Sequence, residues 1–160
     1  MKIFLSVGTH AQQFDRLLKE MDSVLAGKKI RAQVFAQTGN SSYKPKKYSG
    51  KKFLDEKEYN KKIEWAETVI SHGGAGTIIN ALLKKKKLII VPRLKKFGEH
   101  TNDHQLELAE AFEKEGKALA VFKIQELEEK LKKIKKFRPK TASNKEGLIK
   151  AISGFIEGLK

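Results

Sequence analysis

The segment Thr68-Val69-Ile70-Ser71-His72-Gly73-Gly74-Ala75-Gly76-Thr77-Ile78-Ile79-Asn80-Ala81 reads as a strand that enters a glycine-rich turn and leaves it as a helix. Ile78, Ile79, Leu82 and Leu83 give that helix one broad apolar face. Such a turn is a phosphate cradle: bare backbone lets an anion come close, and the first N–H groups of the helix point at it. The helix dipole adds about half a positive charge there. The Thr77 hydroxyl can donate to a phosphate oxygen. Taken alone, the turn can also be a tight connection that needs positive φ.

The same alternation runs along the chain. Short apolar runs at Ile3–Val7, Gln33–Ala36, Thr68–Ser71, Leu88–Val91 and Ala118–Phe122 read as strands, with a further short one near Lys52–Leu54. Helical spacing joins Phe14, Leu17, Leu18, Met21 and Leu25, then Tyr59, Ile63 and Ala66. It returns at Leu106, Ala109 and Phe112, and at Ile124, Leu127, Leu131 and Ile134. Strands alternating with helices predict an α/β fold, a parallel sheet with helical crossovers. Gly39–Gly50 is polar, holds Pro45, and reads as a loop; Phe137–Thr141 around Pro139 reads as a hinge. Ser143-Asn144-Lys145-Glu146 is a capping box, and the last helix is expected over about 143–159. Leu148, Ile152, Phe155, Ile156 and Leu159 give it an apolar stripe.

In an open parallel sheet, ligands bind in the crevice beyond the strand C-termini. Gly8-Thr9-His10, directly after the first strand, would line the same edge as the glycine turn. Two glycine-bearing strand ends suit a diphosphate better than a lone phosphate. Neither common nucleotide pattern is present: Gly8 is not followed by Gly-x-x-Gly, and no Gly-x-x-x-x-Gly-Lys-Ser/Thr occurs. A second polar cluster, Val91 to Gln105, follows the next strand. There Asp103, His104 and Gln105 offer hydrogen bonds to a polyhydroxylated ligand, whereas the alternative for Gln105 is a plain N-cap pairing with Asn102. His100 and His104 stand four apart, but helix-start signals fall between them, so no metal site is expected, and no cofactor is implied.

The chain has 160 residues, 39% of them hydrophobic, and no cysteine. A disulfide framework, a thiolate metal site and a Cys nucleophile are thereby excluded. No apolar run approaches the ~18 residues of a spanning helix, and the apolar start to Gly8 is too short for a signal sequence. A single cytoplasmic domain over 1–160 is expected. Thirty-four Lys and Arg against 19 Asp and Glu leave a charge of +15, which favours anionic partners. The lysines fall in small groups without zinc-finger spacing, an aromatic RNA-binding strand or a basic zipper. A solvated surface, or attraction to a membrane or an acidic partner, is therefore expected before nucleic acid.

Four motifs in order carry a resemblance over nearly the whole chain: Phe4–Thr9, Ser71–Thr77, Val91-Pro92-Arg93 to Gly98-Glu99-His100, and Asn102–Ala109. They resemble the C-terminal, nucleotide-sugar-binding half of family 28 glycosyltransferases. More narrowly, they are similar to the small soluble subunits of two-part enzymes of dolichol-linked N-acetylglucosamine transfer and of bacterial exopolysaccharide synthesis. The resemblance implies a Rossmann-like sheet equivalent to the C-terminal half of a GT-B enzyme. It implies a UDP-sugar donor: Gly8 and Thr9 at the distal phosphate, Gly74, Ala75, Gly76 and Thr77 on the diphosphate, with His72 and Gly73 forming the turn. Asp103, His104 and Gln105 would face the donor sugar. Many relatives place Glu three residues beyond that Thr for the ribose; this chain has Asn80, which can hydrogen-bond without charge.

The implied reaction is inverting transfer of GlcNAc or another hexose to a lipid-linked acceptor. The acceptor would be bound by a separate membrane-anchored subunit that holds this chain at the cytoplasmic face, and the chain alone would transfer little sugar. The general base would be His10 or would come from that partner. The rival readings are a non-catalytic interaction subunit, in which the glycine turn is only structural, and an anion- or nucleic-acid-binding domain.

Overall fold

The computed structural model describes residues 1–140 and 145–158. Its strands are β1 (Lys2–Ser6), β2 (Gln33–Gln37), β3 (Ser49–Lys51), β4 (Thr68–Ser71), β5 (Lys87–Ile90) and β6 (Leu119–Ala120). Its helices are α1 (Asp15–Ala26), α2 (Glu56–Trp65), α3 (Ala75–Leu83), α4 (His104–Lys114), α5 (Leu127–Ile134) and α6 (Lys145–Gly158). All strand pairs are parallel, in the order β3-β2-β1-β4-β5-β6. This is the Rossmann order, and its direction reverses at β1, where β2 lies on one side and β4 on the other. The loops leaving β1 and β4 diverge there and open a crevice at the strand C-termini.

Both sheet faces are covered, as a parallel sheet requires. Alternation along the strands sends Ile3, Leu5, Val7, Ile70, Ile89 and Val91 into one core, against Leu17, Leu18 and Met21 of α1 and Leu127, Leu131 and Ile134 of α5. Phe4, Val69, Leu88 and Ile90 point the other way, against Ile63 of α2, Ile78 of α3, Phe112 of α4 and Leu148 and Ile152 of α6.

Three boundaries differ from the sequence expectation. The edge strand lies at Ser49–Lys51 and not at 52–54, so the polar loop ends at Tyr48. Its three residues are all exposed, so no apolar run marks it; pairing with Phe35–Gln37 places it. Leu54 instead turns inward, and its N–H donates to Gln37 Oε1 at 3.0 Å. The segment at Ile124 begins as a 3-10 turn before α5. The last strand shrinks to two residues. The capping box at Ser143, part of the expected hinge (Thr141), the Phe155 and Ile156 side chains and Leu159 lie outside the described residues.

Part of the lysine excess is structural. Lys86 Nζ donates to the carbonyls of Glu64 and Ala66 at the end of α2, at 2.7 and 2.8 Å. Lys87 Nζ donates to those of Ile134 and Lys135 at the end of α5, at 2.9 and 2.6 Å. A cation at a helix C-terminus satisfies orphan carbonyls and complements the dipole. Among the described residues, no helix is long and apolar enough to cross a membrane.

Candidate functional site at the β1/β4 switch

β1 and β4 end side by side, and each chain then turns through a left-handed glycine: Gly8 at φ +79° and Gly73 at φ +94°. Between them lies the His72 ring. Its Nδ1 is 3.3 Å from the Ser6 carbonyl; a carbonyl only accepts, so Nδ1 carries the proton and Nε2 the lone pair. Burial pulls the His72 pKa down to about 4, helped by the Arg93 guanidinium and then by His100 and His10. His72 is therefore neutral at physiological pH.

Gly74 is the N-cap of α3; its lack of a side chain leaves the helix uncapped, and the first turn carries no acid. The N–H groups of Ala75, Gly76 and Thr77 have no intrahelical acceptor by helix geometry. An open pocket of about 390 Å³ lies over them. Of the sequence-expected residues, Gly8, Thr9, His72, Gly74, Gly76, Thr77 and Asn80 line it. Gly73 is buried, backed by Gln105, and Ala75 is not among the lining residues.

Thr77 is placed differently from the expectation. Tyr59 Oη donates to Ser6 Oγ at 3.0 Å and sits 2.6 Å from Thr77 Oγ1. A phenol has one hydrogen, so Thr77 donates its own to Tyr59. The Thr77 hydroxyl proton is thus committed inside the fold, and the residue's exposed contribution is its backbone N–H and oxygen lone pairs. Burial raises the Tyr59 pKa, so the chain of hydroxyls stays neutral.

The second cluster does not line this pocket. Asp103 Oδ1 accepts from the Lys95 N–H at 2.8 Å, and Gln105 Oε1 from the Arg93 N–H at 3.1 Å. His104 is exposed, its N–H donating to Asn102 Oδ1 at 3.1 Å. The Asn102–Gln105 cap pair is absent too: Asp103 is the N-cap of α4, without a side-chain cap bond. His10 lies beyond the pocket, its ring stacked on His100 with centroids 4.5 Å apart.

Sequence reading missed two groups. Gln37, Leu54, Glu56, Tyr59 and Asn60 form the far wall of the pocket. The available signal was Asp55-x-x-Glu58, which forms a reciprocal capping box and fixes the start of α2 beside the crevice. The other group is Arg93 and Glu99, both fully buried. Arg93 donates to the carbonyls of Gln12, Gln13 and Glu99 through Nη1 and of Val7 through Nη2 at 2.6 Å. Glu99 takes a two-pronged bond from Arg16 at 2.8 and 2.9 Å and one from the Leu94 N–H at 3.0 Å. This network clamps the loops after β1 and β5 to each other. Burial brings the Arg93 pKa down to about 10, with Glu99 opposing the shift, so the guanidinium remains charged.

Residues 2–157 match the family model described as the glycosyltransferase family 28 C-terminal domain. The chain belongs to this family. Among curated family relatives, it is 34% identical over 123 residues to the human UDP-N-acetylglucosamine transferase subunit ALG13, covering 71% of this chain and 10% of that protein. It is 36% identical over 85 residues to the mouse counterpart, covering 50% of this chain and 7% of that protein. The chain thus spans a tenth or less of the length of these relatives.

Solved glycosyltransferases share the fold of this family 28 domain. The kitacinnamycin glycotransferase superposes with a TM-score of 0.64 at 18% identity, over 96% of this chain and 37% of that one. The calicheamicin glycosyltransferase CalG4 gives 0.63 at 12%, over 99% and 44%. MurG of Acinetobacter baumannii gives 0.58 at 18%, over 92% and 44%. The family 28 domain is an α/β, Rossmann-like unit equivalent to the C-terminal half of a GT-B glycosyltransferase.

Proposed function

We propose that the chain is the donor-binding subunit of an inverting glycosyltransferase that takes a hexose, GlcNAc first among candidates, from a UDP-sugar. The observation that carries this reading is the convergence of Gly8, Thr9 and the uncapped start of α3 on one pocket at the sheet's switch point. Diphosphate oxygens would accept from the N–H groups of Gly74 to Thr77, with Gly8 and Thr9 at the distal phosphate. Asn80 would hydrogen-bond the ribose through an uncharged amide. These donors are fixed before the reaction, so they stabilise the charge that develops on UDP as the glycosidic bond breaks.

A GT-B active site lies between two halves, and this chain matches one. The acceptor hydroxyl would come from a lipid-linked sugar held by a separate, membrane-anchored subunit, which keeps this chain at the cytoplasmic face. The human and mouse relatives are each named as a transferase subunit, which supports that division of labour. Lysines left on the surface would add attraction to anionic lipid of about 1 kcal/mol per well-placed residue.

Titrating UDP against the amide NMR signals of the chain tests the reading. Shifts concentrated at Gly8, Thr9 and Gly73–Thr77 are expected. Their absence at millimolar UDP would reduce the glycine turn to a structural connection and return the chain to the class of non-catalytic interaction subunits.

A further inference from the structure

Outside the pocket, the most ordered unexplained feature is the pair of imidazoles on the two clamped loops. His10 follows β1 and His100 follows β5; their rings stack 4.5 Å apart with planes 27° from parallel. Each Nδ1 faces its own loop backbone: His10 Nδ1 accepts from the Gln12 N–H at 3.5 Å, and His100 Nδ1 from the Asn102 N–H at 3.3 Å. A backbone N–H only donates, so both Nδ1 atoms are lone pairs. The bond made by one ring nitrogen sets the state of the other. In its neutral form each ring therefore carries its proton on Nε2.

We propose that His100 is a positioning residue for His10, and that the pair presents fixed Nε2–H donors to oxygens of the transferred sugar. His10 then acts as a hydrogen-bond donor rather than as the general base. This rests on the donor-binding reading above and extends it past the pocket, to the loops after β1 and β5.

The surroundings fit donors better than a base. The charged and titratable groups that act on the pair are Arg93, His72 and His104, with Glu99 next in the chain. Glu99 is taken up by Arg16, so its carboxylate does not support a proton on either ring. Burial, then His10, Arg93 and His104, pull the His100 pKa below the ordinary histidine value. The loop carrying His10 is held at three points: Asn40 Nδ2 donates to the His10 carbonyl at 3.0 Å, and Arg93 donates to the carbonyls of Gln12 and Gln13. The backbone under the ring is thus rigid, and the stack fixes what remains free, the ring's rotation.

The test is long-range 15N–1H NMR of the histidine rings in the whole chain, assigned with single His→Gln variants. At pH 7.5 both His10 and His100 are expected as Nε2–H tautomers. H100A should let His10 mix tautomers, while H100F, which can still stack, should preserve the wild-type state. UDP-GlcNAc should shift the His10 Nε2 proton where UDP alone does not. H10Q, which keeps a donor, should bind UDP-GlcNAc within about threefold of wild type, and H10A about tenfold more weakly, with UDP affinity unchanged in both. An Nδ1–H tautomer at His10, or a His10 tautomer indifferent to H100A, overturns the positioning role. A His10 ring that ignores UDP-GlcNAc while the Gly73–Thr77 amides respond overturns the sugar contact and leaves the donor-binding reading standing.

Discussion

The imidazole of His72 occupies the space that a side chain on Gly8 would need. A Cβ built on Gly8 falls 2.5 Å from His72 Cε1 and 2.6 Å from Nε2. Gly74 meets the same ring, its Cβ position 2.7 Å from Cε1. The ring is thus a wedge between two strand ends, and the glycines exist as much to admit it as to admit a ligand. Gly8→Ala combines this clash with a left-handed φ of +79°. A loss of about 2–4 kcal/mol in urea unfolding is expected. In a His72→Ala background the clash disappears, and the additional loss should fall to about 1–2 kcal/mol, the backbone strain alone. Equal costs in the two backgrounds would show that the ring does not wedge the turn.

His72 also makes stability depend on pH. Its folded pKa of about 4 lies below the ordinary 6.5, so the unfolded chain takes up a proton that the folded chain refuses. The full contribution is present above pH 6.5 and is lost as pH falls toward 4. At pH 5 the loss relative to pH 7.5 is about 2 kcal/mol. Urea midpoints at pH 7.5, 6 and 5 should show this decline in wild type and a flatter one in His72→Asn. Parallel declines in the two proteins would place the pH sensitivity elsewhere.

Most of the architecture was legible because it follows from hydrophobic period. Ile3-Phe4-Leu5 and Thr68–Ser71 are buried on both faces, and apolar runs between turn residues announce such strands. β3 was misplaced because Ser49-Gly50-Lys51 is an exposed edge, held by backbone pairing that leaves no side-chain pattern. The glycine turn was legible from its spacing, but the commitment of the Thr77 hydroxyl to Tyr59 was not, since the partners are 18 residues apart on different helices. Asp103 and Gln105 read as ligand-facing because polar side chains in a loop look alike in sequence. The structure spends both on loop N–H groups.

The buried Arg93 holds two loops together, and its loss should appear first as lost stability. Arg93→Met would leave the buried carbonyls of Val7 and Glu99, and the half-buried ones of Gln12 and Gln13, without their donor. Removing the charged partner of a buried network costs about 3–5 kcal/mol. Arg93→Lys, with one compact cation in place of the fork, should recover only part of this. Chemical denaturation followed by circular dichroism checks both, and a wild-type midpoint in Arg93→Met would refute the clamp.

The loop after β2 is polar, yet it is fastened to α1 by two carboxylates. Asp15 Oδ1 accepts from the N–H groups of Ser42 and Tyr43 at 2.8 and 3.0 Å. The buried Asp22 accepts from Tyr43 Oη and from the N–H groups of Lys46 and Lys47, at 2.7, 2.7 and 2.8 Å. The Tyr43 pKa is raised chiefly by that bond, as expected for a phenol donating to a carboxylate. Asp22→Asn keeps one acceptor oxygen but turns an NH2 toward a donor, leaving at least one partner unsatisfied at about 1–3 kcal/mol. Because the damage is local, it should open the loop before it unfolds the sheet. Trypsin should then cut after Lys46 and Lys47 about tenfold faster than in wild type, the rate ratio for about 1.4 kcal/mol of easier opening. Cleavage after Lys28 and Lys29, beyond the other end of α1, should be unchanged. Equal acceleration at both places would mean that Asp22 supports the domain as a whole rather than this loop.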